Sequence, residues 1–316
     1  MIKKLISSNF ISFILGNKFL FNSMFKKKTV VFLFHETTFK PSQFHQEYNL
    51  NISPDLFSKQ IQIIKKNFNV ITPKTLLKGN YKTPAALITF DDGSKGNFDY
   101  AYPILEKLKC PSLMFLNMAP IKGDIFWSGL ITYLCNNHNS FKRNYISSKK
   151  NLKKPYFLNI HPKEIDEFLI NNNKEEIYKN ARKYYGEFIN EDDLHKMSNS
   201  KYLEIGNHLY QHYNCIYCSS NEIKENFNKN QIQLDKYTNS TKLFSYPFGQ
   251  ENTCYNHTTN EIIYSLGAEA IFAAHPDNFK HKEKLYYRFA ITDKYKSENF
   301  LRMMLILRKT INYFSN

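Results

Sequence analysis

The sequence lacks the features on which several protein classes depend. Five cysteines do not suggest a disulfide scaffold in a chain of 316 residues. There is no internal repeat and no flexible linker, and the apolar N-terminal segment is too short and too polar to span a membrane. A single soluble domain is therefore predicted, and 27 Phe and 22 Tyr supply ample material for a large core.

Acidic residues are scarce relative to basic ones. The 43 Lys and Arg against 28 Asp and Glu give a formal net charge of +15. Much of the excess is lysine scattered among asparagines, which indicates a solvated basic surface. The alternative is attraction to anionic lipid or acidic glycan, because a positive field favours association with polyanions. Nucleic acid is not an expected partner, since no recognisable binding motif accompanies the charge.

The N-terminal segment, residues 1–28, imitates a secretory signal but lacks a cleavage site. Its apolar stretch is broken by polar residues, namely Ser7, Ser8, Asn9 and Ser12. Apolar residues at helical spacing, followed by Lys26 to Lys28, predict an amphipathic helix that either packs on the rest of the chain or contacts a membrane surface. Because Cys215 and Cys218 would be prone to pair in an oxidising compartment, we expect a cytoplasmic protein, with peripheral contact to the inner membrane and secretion left open as alternatives.

Strands and helices alternate along residues 29–316. Strand 30–35 leads into an exposed loop, 36–52, and helix 53–67 has Ser53 as its N-cap and Pro54 at its first position. Later strands are predicted at 85–91, 112–117, 202–206, 242–246, 269–274 and 286–292, and later helices at 98–108, 221–237 and 258–266. Residues 120–190 form a lysine-rich, mostly helical insert. This rhythm predicts parallel strands with outer helices.

The most informative stretch is an apolar run, 87–90, that ends in Asp91, Asp92 and Gly93. Successive side chains of an extended segment point to opposite sides, so the two carboxylates need separate environments. One can bind a metal while the other accepts a proton. A plain strand-ending turn is the alternative, because Asp-Gly is a common turn dipeptide.

A histidine pair, His208 and His212, follows a second apolar stretch. Four residues apart on a helix or helical turn, two imidazoles share one face and one cation. With Asp92 they form a set of two histidines and one carboxylate that suits Zn²⁺, although other divalent metals also fit. A structural zinc site of His208, His212, Cys215 and Cys218 is the competing interpretation.

The third block is a rigid turn, Tyr246-Pro247-Phe248-Gly249, that follows the apolar residues 243–244 and Ser245. Proline fixes one backbone angle and glycine relieves another, so the loop could aim a backbone N–H near Phe248 at a reacting oxygen. Tyr246, Pro247 and Phe248 are therefore the predicted substrate and oxyanion residues.

In this order the three blocks resemble the polysaccharide deacetylase family, which shares its domain with nodulation-type chitooligosaccharide deacetylases. Supporting similarity appears in the blocks 31–35, 52–57, 70–77 and 285–291, the last looking like the arginine-bearing strand of shorter members. The resemblance implies a distorted parallel β/α barrel of the seven-stranded type, with a metal site at the C-terminal ends of the strands. It also implies an N-acylated amino sugar as substrate, in a glycan or on a lipid-linked carrier.

The chemistry implied by this resemblance is metal-dependent hydrolysis. A metal held by Asp92, His208 and His212 would lower the pKa of water towards ~7, and Asp91, kept off the metal, would accept the proton. Many members carry an arginine at the position of Ser245 that orients this aspartate, so another group must hold Asp91 here or the activity is altered.

The family block that supplies a general acid has no clear match, which leaves His275 and His35 as candidates. Two alternatives remain open: deacylation or deformylation of a lipid-linked sugar at the membrane face, and a degenerate, glycan-binding protein.

Overall fold

The computed structural model describes residues 12, 14–146, 160–274, 279 and 281–314. Its strands are β1 (Thr29–Phe34), β2 (Glu36–Thr37), β3 (Asn51–Ile52), β4 (Asn69–Val70), β5 (Ala85–Phe90), β6 (Ser112–Leu116), β7 (Leu203–Asn207), β8 (Ser240–Gln250), β9 (Ala270–Ala274) and β10 (Leu285–Ala290). The sheet runs β1-β10-β9-β8-β7-β6-β5, and β1 also pairs with β5. All these pairings are parallel. The predicted seven-stranded β/α barrel is confirmed.

The barrel strands are buried on both faces, which explains their continuous apolar sequences. All six residues of β5 and all five of β6 are buried. Parallel strands covered by helices lack the alternation of apolar and polar residues seen in half-exposed sheets. Two minor pairings lie outside the barrel: β4 beside β5, and β2 with β3.

Helices cover the barrel and form the insert. They are α1 (Lys18–Phe25), α2 (Gln43–Glu47), α3 (Pro54–Asn67), α4 (Pro73–Lys78), α5 (Tyr102–Lys107), α6 (Met118–Ile121), α7 (Trp127–Asn137), α8 (Asn139–Phe141), α9 (Pro162–Ile170), α10 (Lys174–Tyr185), α11 (Glu191–Met197), α12 (Ser220–Leu234), α13 (His257–Ser265) and α14 (Glu298–Phe314). Short π-helical turns occupy Asn97–Ala101 and Lys142–Ile146, and a 3-10 turn occupies Cys215–Tyr217. As predicted, Ser53 caps α3, accepting from the Leu56 N–H at 3.4 Å.

The segment 36–52 is more ordered and more buried than the predicted exposed loop. It contains β2, α2 and β3, and it buries Phe44 and His45, which are 3% and 2% exposed. Phe44 packs with the aromatic core of the insert, including Phe126 at 5.7 Å between ring centroids. The sequence prediction was wrong here because the contacts that bury this segment come from residues far along the chain.

The insert is helical, as predicted, and has an aromatic core of its own. Helices α7, α9 and α10 pack around Trp127, Phe141 and Phe168, and α7 contacts α10 along its length. Residues 147–159 of the insert lie outside the described residues. Because Phe126 and α7 border the open end of the barrel, the insert forms one wall of the cavity found there.

The N-terminal and C-terminal helices pack at the other end of the barrel. Phe21 and Phe25 of α1 are fully buried, and Phe21 lies edge-on to Phe68 at 5.5 Å. Arg302 of α14 donates from Nε to the Gly16 carbonyl at 2.7 Å. The described part of the predicted amphipathic segment therefore packs on the barrel, and residues 1–11 lie outside the described part. Over the described residues, no helix combines the length and the apolar character needed to cross a bilayer.

Candidate active site

The two carboxylates lie at the C-terminal end of β5, where the chain turns sharply. Asp92 and Gly93 both have left-handed backbone conformations, with φ of 72° and 87°. A non-glycine residue there is uncommon and strained, and such strain is concentrated at functional sites. Asp91 and Asp92 are 4% and 5% exposed, so both carboxylates are buried at the end of the barrel.

Asp92 meets the two histidines. Its Oδ1 atom lies 3.1 Å from His212 Nε2 and 3.5 Å from His208 Nε2. One ligand atom from each residue can be chosen so that all three lie within 4.8 Å of one another. The Asp92 Oδ1 atom is buried and accepts no hydrogen bond from the described residues. Because an unpaired buried carboxylate oxygen is costly, this set fits a divalent cation.

Hydrogen bonds at the Nδ1 atoms of His208 and His212 orient both imidazoles. His208 Nδ1 donates to the Ser245 carbonyl at 2.7 Å, since a carbonyl can only accept. His212 Nδ1 bonds to Ser128 Oγ at 2.6 Å. Both Nε2 atoms therefore face Asp92, and partners of this kind typically fix the tautomer of metal-binding histidines. No pattern around Ser128, which lies on α7 of the insert, indicated this role in the sequence.

The histidine pair lies on an irregular loop and not on the predicted helical turn. Leu209 and His212 have φ of 60° and 59°, which no helix allows. The Asn117 amide nitrogen donates to the carbonyls of His208 and Leu209 and so supports this path. The two rings nevertheless converge, with centroids 4.8 Å apart.

Asp91 is held by an arginine from the last barrel strand. Arg288 Nη1 and Nη2 donate to Asp91 Oδ1 and Oδ2, each at 2.7 Å. Burial raises the pKa of Asp91, but the charge of Arg288, with further contributions from His208 and from the Arg288 hydrogen bonds, outweighs burial and leaves the pKa below its usual value. Position 245 is a serine and not an arginine, so another residue must hold Asp91, and that residue is Arg288. The sequence indicated its strand but assigned no role to the arginine.

Of the two candidate general acids, His35 lies in the site. It follows β1 and lines the same cavity as Asp91 and Asp92. Burial lowers the pKa of His35, and the charges of Asp92 and Asp91 oppose that effect. His275 lies outside the described residues.

A cavity of about 310 Å³ opens above these groups. Its walls come from segment 36–52, the insert and the barrel strands, and are mostly apolar: Leu33, Phe44, Tyr48, Leu50, Phe126, Phe248, Ala274 and Ala290. The Phe248 ring lies 4.7 Å from the His212 ring, centroid to centroid. The site is thus a polar floor beneath apolar walls, which is the usual composition of a pocket for a small substrate group.

Two of the three predicted substrate residues lie outside the cavity lining. Tyr246 stacks on Tyr255 at 4.6 Å, and its hydroxyl donates to Asn260 Oδ1 at 2.9 Å. Its side chain therefore belongs to a separate core cluster, because alternate residues of β8 face opposite sides. Pro247 is buried beside it, and Phe248, with φ of 63°, is the residue of this block that reaches the cavity.

The competing zinc site gains no support. Among the described residues, the group with metal-ligand spacing consists of Asp92, His208 and His212, without a cysteine. Burial raises the pKa of Cys218 to about 12 and that of Cys215 well above its usual value.

Comparisons with known proteins agree with this geometry. The family profile described as polysaccharide deacetylase matches residues 148–271, which include the histidine pair and the third block. The deacetylase PplD of Streptococcus pyogenes is 20% identical, with a TM-score of 0.53 over 88% of this chain and 98% of that chain. IcaB from Ammonifex degensii is 18% identical, with a TM-score of 0.57 over 87% and 97% of the respective chains.

A third similar structure is the de-N-acetylase from Aggregatibacter actinomycetemcomitans, which is 16% identical, with a TM-score of 0.56 over 88% of this chain and all (100%) of that chain. At these identities the three structures show a common fold. No curated protein sequence matches the chain.

Proposed function

We propose that the chain is a hydrolase of the polysaccharide deacetylase type, whose family profile matches residues 148–271, and that it removes N-acetyl groups from amino sugars of a glycan with the help of a divalent metal. The observation that carries the proposal is the pairing of two sites at the cavity floor. One is a buried carboxylate held by Arg288, and the other is the Asp92, His208 and His212 group beside it. Amide hydrolysis needs a proton acceptor next to a centre that activates water. Asp91 can accept the proton, and a metal held by the second group would be that centre.

Zinc is the metal we propose. Two imidazole nitrogens and one carboxylate leave open positions for water and substrate, as in catalytic zinc sites. Bound there, the cation would supply Lewis acidity and lower the pKa of water. The chain contributes His208 with its Nδ1 proton on the Ser245 carbonyl, a His212 ring oriented by Ser128, and an Asp92 oxygen that accepts no hydrogen bond from the described residues.

Asp91 is the proposed general base. Its two-point pair with Arg288 holds it off the histidines, with Oδ2 at 3.8 Å from His208 Nε2. The lowered pKa keeps it ionised at neutral pH, so it can accept a proton from water at the cavity floor. Arg288 also fixes the orientation of this carboxylate towards the cavity.

His35 is the proposed carrier of the proton to the departing amine. It lines the cavity without belonging to the metal-ligating group. Burial lowers the pKa of His35 below its usual value, although the charges of Asp92 and Asp91 oppose that effect, so His35 would pass on a proton that it takes up during the reaction. A backbone N–H near Phe248 remains the proposed donor to the oxyanion, supported by the left-handed turn that places Phe248 against His212.

The main reason for considering a degenerate, glycan-binding protein is weakened. That interpretation rested on Ser245 and on the general acid missing from the sequence. Arg288 supplies the contact to Asp91 that an arginine at position 245 would make, and a binding protein has no need of an ionised, oriented carboxylate. For location we propose the cytoplasm, supported by Cys215 and Cys218, which form no disulfide here and would be prone to pair in an oxidising compartment.

The test is acetate release from N-acetylglucosamine oligomers by protein stripped of metal with a chelator and then reloaded with zinc. We expect activity to fall on stripping and return with Zn²⁺. Loss of activity that no divalent metal restores, in protein that circular dichroism shows to be folded, would contradict metal dependence. Binding of the oligomers without any acetate release would favour the glycan-binding alternative.

A further inference from the structure

The end of the barrel opposite the cavity carries an exposed face that is basic and apolar together. It consists of Lys18, Phe19, Leu20, Lys26 and Lys27, and we call it the α1 face. Phe19 is 84% exposed and Leu20 is 39% exposed, and the three lysines are also exposed. On the same helix Phe21 and Phe25 are fully buried, so the outward side of α1 is distinct from the side that packs on the barrel.

No acidic residue offsets the charge of this face within its own segment. Residues 1–35 contain six lysines and no Asp or Glu. The neighbouring helix α14 adds Lys309, whose Nζ donates to the Met24 carbonyl of α1, while its Glu298 is already paired with Arg302 at 2.7 Å and with Lys66 at 2.7 Å. The face is therefore positive over at least two helices.

We propose that the α1 face docks on an anionic lipid bilayer. Lysines close to an anionic membrane surface are attracted to it, and a neighbouring phenylalanine can enter the boundary between headgroups and acyl chains. A soluble polyanion would engage the lysines but would leave Phe19 and Leu20 in water. A second copy of the same face is disfavoured, because two such surfaces would bring like charges together.

The docked orientation turns the cavity away from the lipid. The Lys28 carbonyl accepts from the N–H of Ala85, the first residue of β5, whereas Asp91 follows the last residue of that strand. Six strand residues at a rise of about 3.3 Å separate the two ends by about 20 Å. If the proposed deacetylation holds, the substrate is then a glycan chain extending from the surface and not a sugar headgroup lying in the same bilayer.

Co-sedimentation of the full chain with lipid vesicles tests the docking. We expect binding to phosphatidylcholine vesicles that contain about one third phosphatidylglycerol, little binding to phosphatidylcholine alone, and weakening by salt. K18E/K26E/K27E should weaken binding at least about 100-fold, since one lysine near such a surface is worth about fivefold. Phe19→Ser should also weaken it.

A matched charge reversal supplies the control. K163E/K179E/K224E changes three exposed lysines on α9, α10 and α12 and gives the same net charge. We expect this variant to keep most of the binding, and both triple variants to keep wild-type acetate release from soluble oligomers. An equal loss of vesicle binding in both triple variants would show that net charge alone accounts for the effect and would overturn the proposal. Failure of the wild type to bind anionic vesicles would overturn it too. Phe19→Ser binding vesicles as tightly as the wild type would show that the lysines alone account for binding and would overturn the contact of Phe19 with lipid that distinguishes a bilayer from a soluble polyanion.

Fluorescence of the single tryptophan tests the orientation of the docked protein on the bilayer. Trp127 lies on α7, beside the cavity. In vesicles made with brominated lipid we expect Trp127 emission to remain unquenched, and the added emission of an F19W variant to be quenched. Quenching of Trp127 in the wild type would overturn the orientation. Because neither readout involves deacetylation, failure here is distinguishable from failure of the proposed function.

Discussion

Arg288 and Asp91 form a two-point ion pair across the closed barrel, with both N···O distances at 2.7 Å. The two residues lie 197 positions apart in the chain, and both are almost fully buried. A buried carboxylate without its arginine would remain as an uncompensated charge. The pair therefore contributes both to the orientation of the proposed general base and to the stability of the barrel.

Replacing Arg288 with Gln should affect both properties. We expect the free energy of unfolding to fall by about 3–5 kcal/mol, the usual cost of breaking a buried pair, and the turnover to fall because Asp91 loses its orientation. Urea unfolding and acetate release measure the two effects. Arg302→Gln is the matched control, since Arg302 is also buried and ion-paired but lies at the far end of the barrel. It should destabilise the fold and leave the kcat of the folded fraction unchanged, and an equal loss of kcat would refute a specific role for Arg288.

Asp91→Asn should separate proton transfer from metal binding. The amide cannot accept a proton, so we expect turnover to fall at least ~10²-fold, the lower end of a general-base contribution. Bound metal, measured by elemental analysis, should stay at the wild-type level because Asp92 and the histidines remain. Asp193→Asn, which removes another buried carboxylate, is the control and should retain activity. A near wild-type rate for Asp91→Asn would show that another group accepts the proton.

The alternation of strands and helices predicted parallel strands with outer helices, and the family resemblance implied that they close into a barrel. The predicted convergence of the motif residues has one physical reason. Asp92 and His208 follow the ends of parallel strands, and such ends meet at one edge of the sheet. Periodicity and strand-ending turns are local signals, so they survive in a single sequence. The predicted roles of these residues stay predictions until metal binding and activity are measured.

The parts that sequence reasoning missed depend on contacts between distant segments. Ser128 reaches His212 from the insert, and His45, in a segment predicted to be an exposed loop, is buried with its Nε2 atom 3.2 Å from Ser94 Oγ. Tyr246 was assigned to the substrate site from its place in the motif, although the alternation along β8 turns its side chain into another cluster. Nothing local to these residues indicates which distant partner they contact.

His208→Ala should remove the metal and leave a folded protein. The site loses one of three ligands, and two donors bind a divalent cation much more weakly than three. Elemental analysis after dialysis should show most of the metal gone. His257→Ala, at an exposed position on α13, should keep its metal. Stoichiometric metal in His208→Ala would defeat the assignment of this site.

Glu36 is expected to make the free energy of unfolding depend on pH. This residue is buried beside the catalytic turn, accepts from the Gly96 N–H at 3.2 Å, and lies 3.3 Å from His45 Nδ1. Burial raises its pKa to about 7 from an ordinary 4.5. A raised carboxyl pKa means that the folded protein prefers the protonated form. The contribution of Glu36 to stability is therefore full below pH 4.5 and is lost as the pH rises towards 7.

Glu36→Gln removes this dependence while keeping an acceptor for Gly96. Relative to the wild type, the variant should gain on the order of 2–3 kcal/mol in the free energy of unfolding between about pH 5 and about pH 8. Urea unfolding at the two pH values measures the difference. Glu222→Gln should show almost no change across this window, because a hydrogen bond from the Ser219 backbone N–H lowers the pKa of Glu222, so its contribution is complete above the ordinary pKa of 4.5 and is lost only at lower pH. A difference between Glu36→Gln and the wild type that is the same at both pH values would mean that Glu36 titrates in the folded protein as it does in the unfolded chain.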